Sequence, residues 1–328
     1  MSYDVVLVDC MNLLHRAAHA YRHLYVQTPQ GGMIETGPAF GFINMTLGIH
    51  EKFCRPGGQM IFCWDAGYQH RLEIHPGYKA SRREKKEKPP KEDRVAMGPQ
   101  VQAVRKLIGL AGWAQAKASG YEADDVMAAL AARHRDSKSV AIYTGDQDLH
   151  QSVRNNVHVI SGKSGKETVW TLREVQEKWG NPPERIAEMK GIIGDPGDDI
   201  PGCPKVGMVM AKKLFAQYGG VRKIIQAAQQ EGALLQGEYN GKSWKAKAVT
   251  AKVAAHAEDI LMSWELARVI EDCEVLIRQE DPNQPGLRKS FNFLEFSSLL
   301  MPDRWNQILQ VAGKEPPAQT GLFDLFLA

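Results

Sequence analysis

The sequence predicts an α/β fold, a central and mainly parallel sheet flanked by helices, and three observations point there. Short apolar runs bounded by Gly, Pro or Asp alternate with longer helical stretches through the first half of the chain. Such alternation is how parallel strands joined by helical crossovers read, with helices on both faces of the sheet. Aspartates and glutamates then recur where the apolar runs stop. Asp9 ends Val5-Val-Leu-Val8, Asp65 ends Met60-Ile-Phe-Cys-Trp64, and Asp146 and Asp148 follow Val140-Ala-Ile-Tyr-Thr144. Ligands of open α/β sheets gather beyond the carboxyl ends of strands, so these positions mark where a site would form.

Taken in order, the strands read as residues 4–9, 59–65, 113–117 and 139–144, each short and apolar. Helical stretches fall around 10–24, 38–53, 98–111 and 121–134. From about residue 171 the pattern turns helical. Thr171-Leu-Arg-Glu174 is a capping box, and Pro182-Pro-Glu184 suits a helix start. An Ala- and Lys-rich stretch predicts one long helix over 243–271. After Gly313 the chain is polar and Pro-containing until its final apolar residues, a composition that does not pack. Three parts result: an α/β core over 1–170, a helical region over 171–312 and a tail over 313–328.

The 328 residues, 43% of them hydrophobic, can bury one large core or two smaller ones. Five cysteines, odd in number and without a CxxC, argue against a disulfide framework or a zinc site and for a reducing compartment. No apolar run reaches 18 residues and no signal peptide is present, so the expected location is the cytoplasm. The net charge of +3 conceals an asymmetry. Of 38 acids, nine crowd the strand ends and turns, leaving 29 against 41 Lys and Arg. The remaining surface is basic, as a partner with a phosphate backbone requires.

Those nine acids are Asp9, Asp65, Glu122, Asp124, Asp125, Asp146, Asp148, Asp195 and Asp198. Crowded together they would repel one another unless cations neutralised them, and oxygen-loving Mg²⁺ or Mn²⁺ are the natural candidates. Two such ions would lower the pKa of a water and stabilise charge on the attacking and leaving oxygens of a phosphodiester. Taken singly, Asp124 and Asp125 also read as helix N-terminal residues. The segment from Tyr78 to Arg94 stands apart, charged throughout and placed directly after the Asp65 strand. It is either a solvated, mobile insertion or a basic lid guiding a polyanion across the carboxylates, and its position favours the lid.

Several blocks, in order from Val8 to about Leu300, resemble the flap endonuclease family of structure-specific 5′ nucleases. They include Leu7-Val-Asp9-Cys-Met-Asn-Leu-Leu-His-Arg16, then Asp65 with Arg71-Leu-Glu-Ile-His-Pro-Gly-Tyr78-Lys79-Ala-Ser-Arg82, and Gly120-Tyr-Glu122-Ala-Asp124-Asp125. Thr144-Gly-Asp146-Gln-Asp148, Gly194-Asp195-Pro-Gly-Asp198-Asp199-Ile-Pro-Gly202 and Phe293-Leu-Glu-Phe-Ser-Ser-Leu-Leu300 complete the set. Within that family the likeness is to standalone bacteriophage enzymes and to the 5′-nuclease domain of bacterial DNA polymerase I.

The resemblance implies a PIN-like core, a helical arch near 66–97 and a helix-hairpin-helix-like element near 191–218. It implies that Asp9, Asp65, Glu122, Asp124, Asp146, Asp148 and Asp198 hold two Mg²⁺ or Mn²⁺ ions directly or through water, with Asp125 and Asp195 further out. Arg71 and Lys79 would clamp the scissile phosphate from a helical lid base. Tyr78 would stack on a base or bury against the lid, and Arg82, Arg83, Lys85 and Lys86 would bind DNA. The hairpin Gly202-Cys-Pro-Lys205-Val-Gly207 would grip duplex backbone, with K⁺, aided by Lys205, Lys212 and Lys213. The family usually has Gly at Lys205 and Asn at Asp199, which puts tight hairpin geometry in question. Gln319-Thr-Gly-Leu322-Phe-Asp-Leu325-Phe326 is similar to sliding-clamp peptides, unless it docks on its own domain.

The expectation is a monomeric 5′ nuclease with flap endonuclease and 5′-3′ exonuclease activity on branched or 5′-ended DNA. With no polymerase module following, it would be a phage-encoded replication or repair enzyme. An RNA-directed nuclease that removes primers and a catalytically silent DNA binder are the alternatives.

Overall fold

The computed structural model describes residues 1–87, 96–163 and 165–312. Strand β1 (Tyr3–Asp9) passes directly into helix α1 (Cys10–Ala20), and the Asp9 carboxylate caps that helix by accepting the Asn12 amide at 2.9 Å. A hairpin of β2 (Tyr25–Gln27) and β3 (Met33–Glu35) leads to α2 (Gly37–Phe53), which runs into β4 (Cys54–Cys63). Helices α3 (Gln69–Ile74) and α4 (Ala80–Glu87) follow, then α5 (Met97–Leu110), β5 (Ala114–Lys117), α6 (Ala123–His134) and β6 (Val140–Tyr143). A hairpin of β7 (Val157–Lys163) and β8 (Lys166–Trp170) closes this half.

The helical region opens with α7 (Leu172–Trp179), whose start is the reciprocal Thr171/Glu174 capping box read from the sequence. It continues through α8 (Ile186–Ile193), α9 (Met208–Tyr218) and α10 (Val221–Gln229), a hairpin of β9 (Gln236–Tyr239) and β10 (Lys242–Lys245), then α11 (Lys247–Ala255) and α12 (Ala257–Ala267). Strand β11 (Leu276–Arg278) returns to the sheet, and helices follow at Gln284–Phe293 and Pro302–Val311.

Among the described residues the main sheet has seven strands in the order β11-β5-β4-β1-β6-β7-β8. The five inner strands pair in parallel, and β11 and β8 are antiparallel edges. Alternate residues feed two cores, as the two-residue period of a strand requires. Val5, Leu7 and Ile61 point to α6 and to helices of the 186–260 region. Val6, Val8, Met60 and Phe62 point to α1, α2, α5 and the helices after residue 284. The mainly parallel sheet with helices on both faces is thus the fold the sequence predicts. All five cysteines are buried and free. Among the described residues no helix is long and apolar enough to cross a membrane.

Two expectations fail. The single helix over 243–271 is broken: 242–245 is strand, helix resumes at Lys247, breaks at His256 and ends at Ala267. The cause is Asn240-Gly241, both with positive φ (51° and 71°), a pair that closes a tight hairpin and buries Trp244. The helical pattern after 171 also passes over β11, whose three residues are exposed on an edge strand and carry no alternation to read.

Candidate active site

Most of the acids collect at the carboxyl edge of the parallel strands because they follow a strand or begin the next helix, while Asp195 and Asp198 come to it from the turn after α8. Asp9 ends β1, accepts the Thr144 hydroxyl at 2.8 Å and is nearly buried. Burial first, with the charges of Asp65 and Asp146 adding to it, pushes its carboxyl up to about 6, although the Asn12 and Thr144 bonds pull the other way. Asp65, two residues past β4, accepts the Ala123 amide at 2.8 Å at the start of α6. Asp124 stands half-buried in the first turn of that helix. Its carboxyl is driven well above the ordinary range by burial and then by Asp146, Asp9, Glu122 and Asp65. Asp146 follows β6 and accepts the Asp148 amide at 2.8 Å.

Asp148, Asp195 and Asp198 form the other half of the rim. Each offers a carboxylate oxygen within 4.8 Å of the others, a grouping able to hold a metal ion. Asp195 and Asp198 sit in a tight turn closed by paired Asp195–Ile200 backbone bonds. Lys190, on α8, donates to Asp148 and, at 2.8 Å, to Asp195, and its charge holds the Asp195 carboxyl below its usual value despite burial. Glu122 joins the halves: it lies within electrostatic reach of Asp124 and of Asp198. Burial first raises the Asp198 carboxyl, while Lys79 and Arg82 lower it.

Lys79 sits between α3 and α4 in the left-handed region (φ 53°), with its amide donating to the Asp198 carbonyl at 3.0 Å. Its ammonium contacts Glu122 and lies 3.6 Å from Asp198. Burial opposes its charge, but those two carboxylates prevail and raise its pKa. Arg82 pairs with Asp198 from the exposed side of α4.

Arg71 is placed differently from the sequence reading. It is only 5% exposed and makes a two-pronged bond to Asp125 (2.7 and 2.8 Å), with further bonds to Glu122, the Leu266 carbonyl and the Arg268 carbonyl. Asp125 is fully buried in that pair. No helix aims Arg71 and Lys79 together, because the chain turns through His75–Tyr78 between them.

Tyr78 is 3% exposed, packed beside Tyr68, Ile200 and Leu266, with its hydroxyl donating to Glu122 at 2.7 Å. Of its two readings, burial is the one that holds, so it offers no face for a base. Arg83 donates to the Tyr78 and Pro76 carbonyls. Lys85 and Lys86 belong to α4, but their side chains lie outside the described residues. The hairpin before α9 keeps its tight turn: Lys205 adopts φ 62° where the family's glycine would sit, and Asp199 adopts 56°. Lys213 is half-exposed on α9, whereas Lys212 donates to the Lys178 carbonyl at 2.6 Å. Leu322, Leu325 and Phe326 lie outside the described residues.

Sequence reasoning misses Lys190, Thr144 and Ser81. A lone lysine inside the apolar run Met189-Lys-Gly-Ile-Ile193 is the signal for the first, since a buried charge demands a partner. Ser81 donates its amide and hydroxyl to Asp199 at 2.9 and 2.6 Å, docking α4 on the Asp195–Ile200 turn.

The chain matches known proteins along most of its length. A model of the 5′-3′ exonuclease N-terminal, resolvase-like domain matches residues 4–180, and one of the 5′-3′ exonuclease C-terminal SAM fold matches 181–288. A thermostable DNA polymerase I of Thermus filiformis is 32% identical over 304 residues, 90% of this chain and 32% of that protein. The chain therefore spans about a third of the polymerase relatives it matches. A 5′-3′ exonuclease of Aquifex aeolicus is 28% identical over 88% of this chain and 93% of its own. Among solved structures, T5 5′-exonuclease with bound zinc ions superposes with TM-score 0.62 at 21% identity, covering 94% of this chain and 99% of that one. Human GEN1 in complex with Holliday junction DNA gives 0.56 at 14%, covering 95% and 72%. At such identities these structures speak for the fold.

Proposed function

The chain belongs to the 5′-3′ exonuclease family, and on that premise we propose that it is a metal-dependent, structure-specific 5′ nuclease. It acts on branched or 5′-ended DNA as flap endonuclease and 5′-3′ exonuclease, leaving 5′-phosphate and 3′-hydroxyl ends. The observation that carries this reading is the convergence of Asp148, Asp195 and Asp198 oxygens within 4.8 Å, beside a second carboxylate group in which burial first, and neighbouring carboxylates after it, raise Asp9 and Asp124. A donor set of hard oxygens with excess negative charge fits Mg²⁺ or Mn²⁺. Bound there, two such ions supply Lewis acidity toward water and the phosphodiester.

The protein's own groups divide the remaining work. Asp9, Asp65, Asp124 and Asp146 would hold one ion, and Asp148, Asp195 and Asp198 the other, with Glu122 reaching both groups. Lys190 balances the second group and keeps its carboxylates together before a metal arrives. Lys79 and Arg82, already at the rim, draw the scissile phosphate down onto it. Arg71 holds Asp125 and Glu122 in place and so positions the rim without touching phosphate. Lys205 and Lys213 take up duplex phosphates, and K⁺ at the 202–207 hairpin belongs to the same proposal, supported by the left-handed turn kept at Lys205. Sliding-clamp binding by Leu322, Leu325 and Phe326 is proposed from their spacing alone.

The test is cleavage of a labelled 5′-flap duplex in Mg²⁺, in Mn²⁺ and in EDTA, with the flap made of DNA and then of RNA. Cleavage at the flap base in either metal, none in EDTA, and faster cutting of the DNA flap is expected. Equal cutting in EDTA removes the metal, and no cutting in any metal leaves a DNA binder.

A further inference from the structure

Beyond the carboxylate rim, the sheet edge opens into a groove of about 470 Å³ between α5, β5 and β11. Its chemistry is the reverse of the rim's. Arg105 and Lys106 line it from α5, Lys117 from the end of β5 and Arg278 from β11; Glu280 answers Arg278 at 2.5 Å. Arg105 is held for use. Its guanidinium lies 4.5 Å above the Trp64 indole; that indole donates to the Gln115 side chain at 3.1 Å, and Gln115 in turn donates to the Arg105 carbonyl at 3.3 Å. Yet the buried Arg105 Nε has no hydrogen-bond partner among the described residues. That Nε is shielded, so it is the terminal nitrogens of the stacked guanidinium, in the lining of the groove, that can fork onto a phosphate.

The groove lies next to the rim along the chain. Trp64 immediately precedes Asp65, and Lys117 ends the strand that leads to Glu122. We propose that it is a track for the single-stranded 5′ arm of the substrate, gripping its phosphates just beyond the cleavage point; this rests on the nuclease reading above. A groove of about 470 Å³ has room for a few unpaired nucleotides, not for a duplex about 20 Å across. Leu110 and the exposed Leu276 in its wall offer apolar surface to unpaired bases.

The experiment measures affinity in EDTA for flap duplexes carrying a 5′ arm of about 15 nucleotides or none, over a salt series. Wild type should bind the armed duplex more tightly. The surface reversals Lys106→Glu and Lys117→Glu together should cut that affinity about tenfold and lower its salt slope by about two, with the armless duplex unaffected. Glu280→Gln, which frees Arg278, should move the armed affinity the other way. An equal loss on both duplexes, or none on either, overturns the track. Displacement of the arm by free 5′-dAMP at matching nucleotide concentration would assign the groove to a small ligand and overturn it too. Cleavage of the armless nicked duplex by wild type in Mg²⁺, run in parallel, reports on the nuclease reading separately.

Discussion

Single residues in the rim have stability consequences with a definite sign. Asp9 has a carboxyl raised to about 6, above its value in an unfolded chain, so the folded protein binds that proton more tightly. Without metal, the cost of ionising Asp9 is absent below the unfolded pKa near 4 and is fully present once pH has risen through about 6. Asp9→Asn should therefore stabilise the metal-free protein at pH 8 by on the order of 2–3 kcal/mol, and should also shrink the stabilisation gained from Mg²⁺. Melting curves at pH 5 and pH 8, with and without Mg²⁺, check this; a variant that melts below wild type at pH 8 in EDTA would refute it. Arg71 and Lys79 separate by the same logic. Arg71→Ala strands Asp125 in the core and should cost about 3–5 kcal/mol. Lys79→Ala leaves Glu122 and Asp198 short of a cation and so costs some stability, but its signature should be a lower single-turnover cleavage rate with little change in affinity, as expected of a contact made chiefly in the transition state. Equal single-turnover rates would reassign Lys79 to simple backbone attraction.

At the scale of elements, the turn before α9 tests what replaces a glycine. Lys205 bears a left-handed φ that costs a side-chain residue about 1–2 kcal/mol. Lys205→Gly relieves that strain but frees the unfolded chain, so stability should rise by no more than about 1 kcal/mol, and duplex binding should weaken with a salt slope lower by about one. A variant that binds duplex as tightly as wild type would show that Lys205 contacts no phosphate. Strands whose residues are buried on both faces, such as Val5–Val8 and Ile61–Cys63, are legible because a short apolar run ending in Asp suits a buried parallel strand far better than a helix or a loop. The capping box at Thr171 is legible because both of its partners are local. The β9–β10 hairpin is announced by Asn240-Gly241, which the helical reading of 243–271 passes over, whereas β2, β3 and β8, of 3, 3 and 5 residues, are too short to show a periodicity. The carboxylates themselves are readable, but their pairing is not. Whether Arg71 meets phosphate or Asp125, and whether Tyr78 faces a base or Glu122, depends on how α3 and α12 pack, which spacing along the chain does not encode.

Across the whole molecule, the rim draws on both halves: β1, β4, α6 and β6 supply one group of acids, and the turn after α8 supplies Asp195 and Asp198. Function should therefore depend on their relative placement, while the tail should be dispensable for chemistry. Deleting residues 317–328 is expected to leave flap cleavage and melting temperature unchanged and to abolish association with a sliding clamp. A loss of several degrees would show that the tail packs on its own domain. The central claim is that this rim holds two divalent ions that perform hydrolysis, and calorimetric titration of Mn²⁺ into metal-free protein at pH 7.5 tests it most directly. The account predicts about two ions per chain for wild type. Asp148→Asn with Asp195→Asn should bind one ion fewer, and Asp146→Asn should weaken the other site and lose more than nine-tenths of the cleavage rate. Wild-type protein that binds no Mn²⁺, or variants that bind and cleave as wild type does, would contradict it.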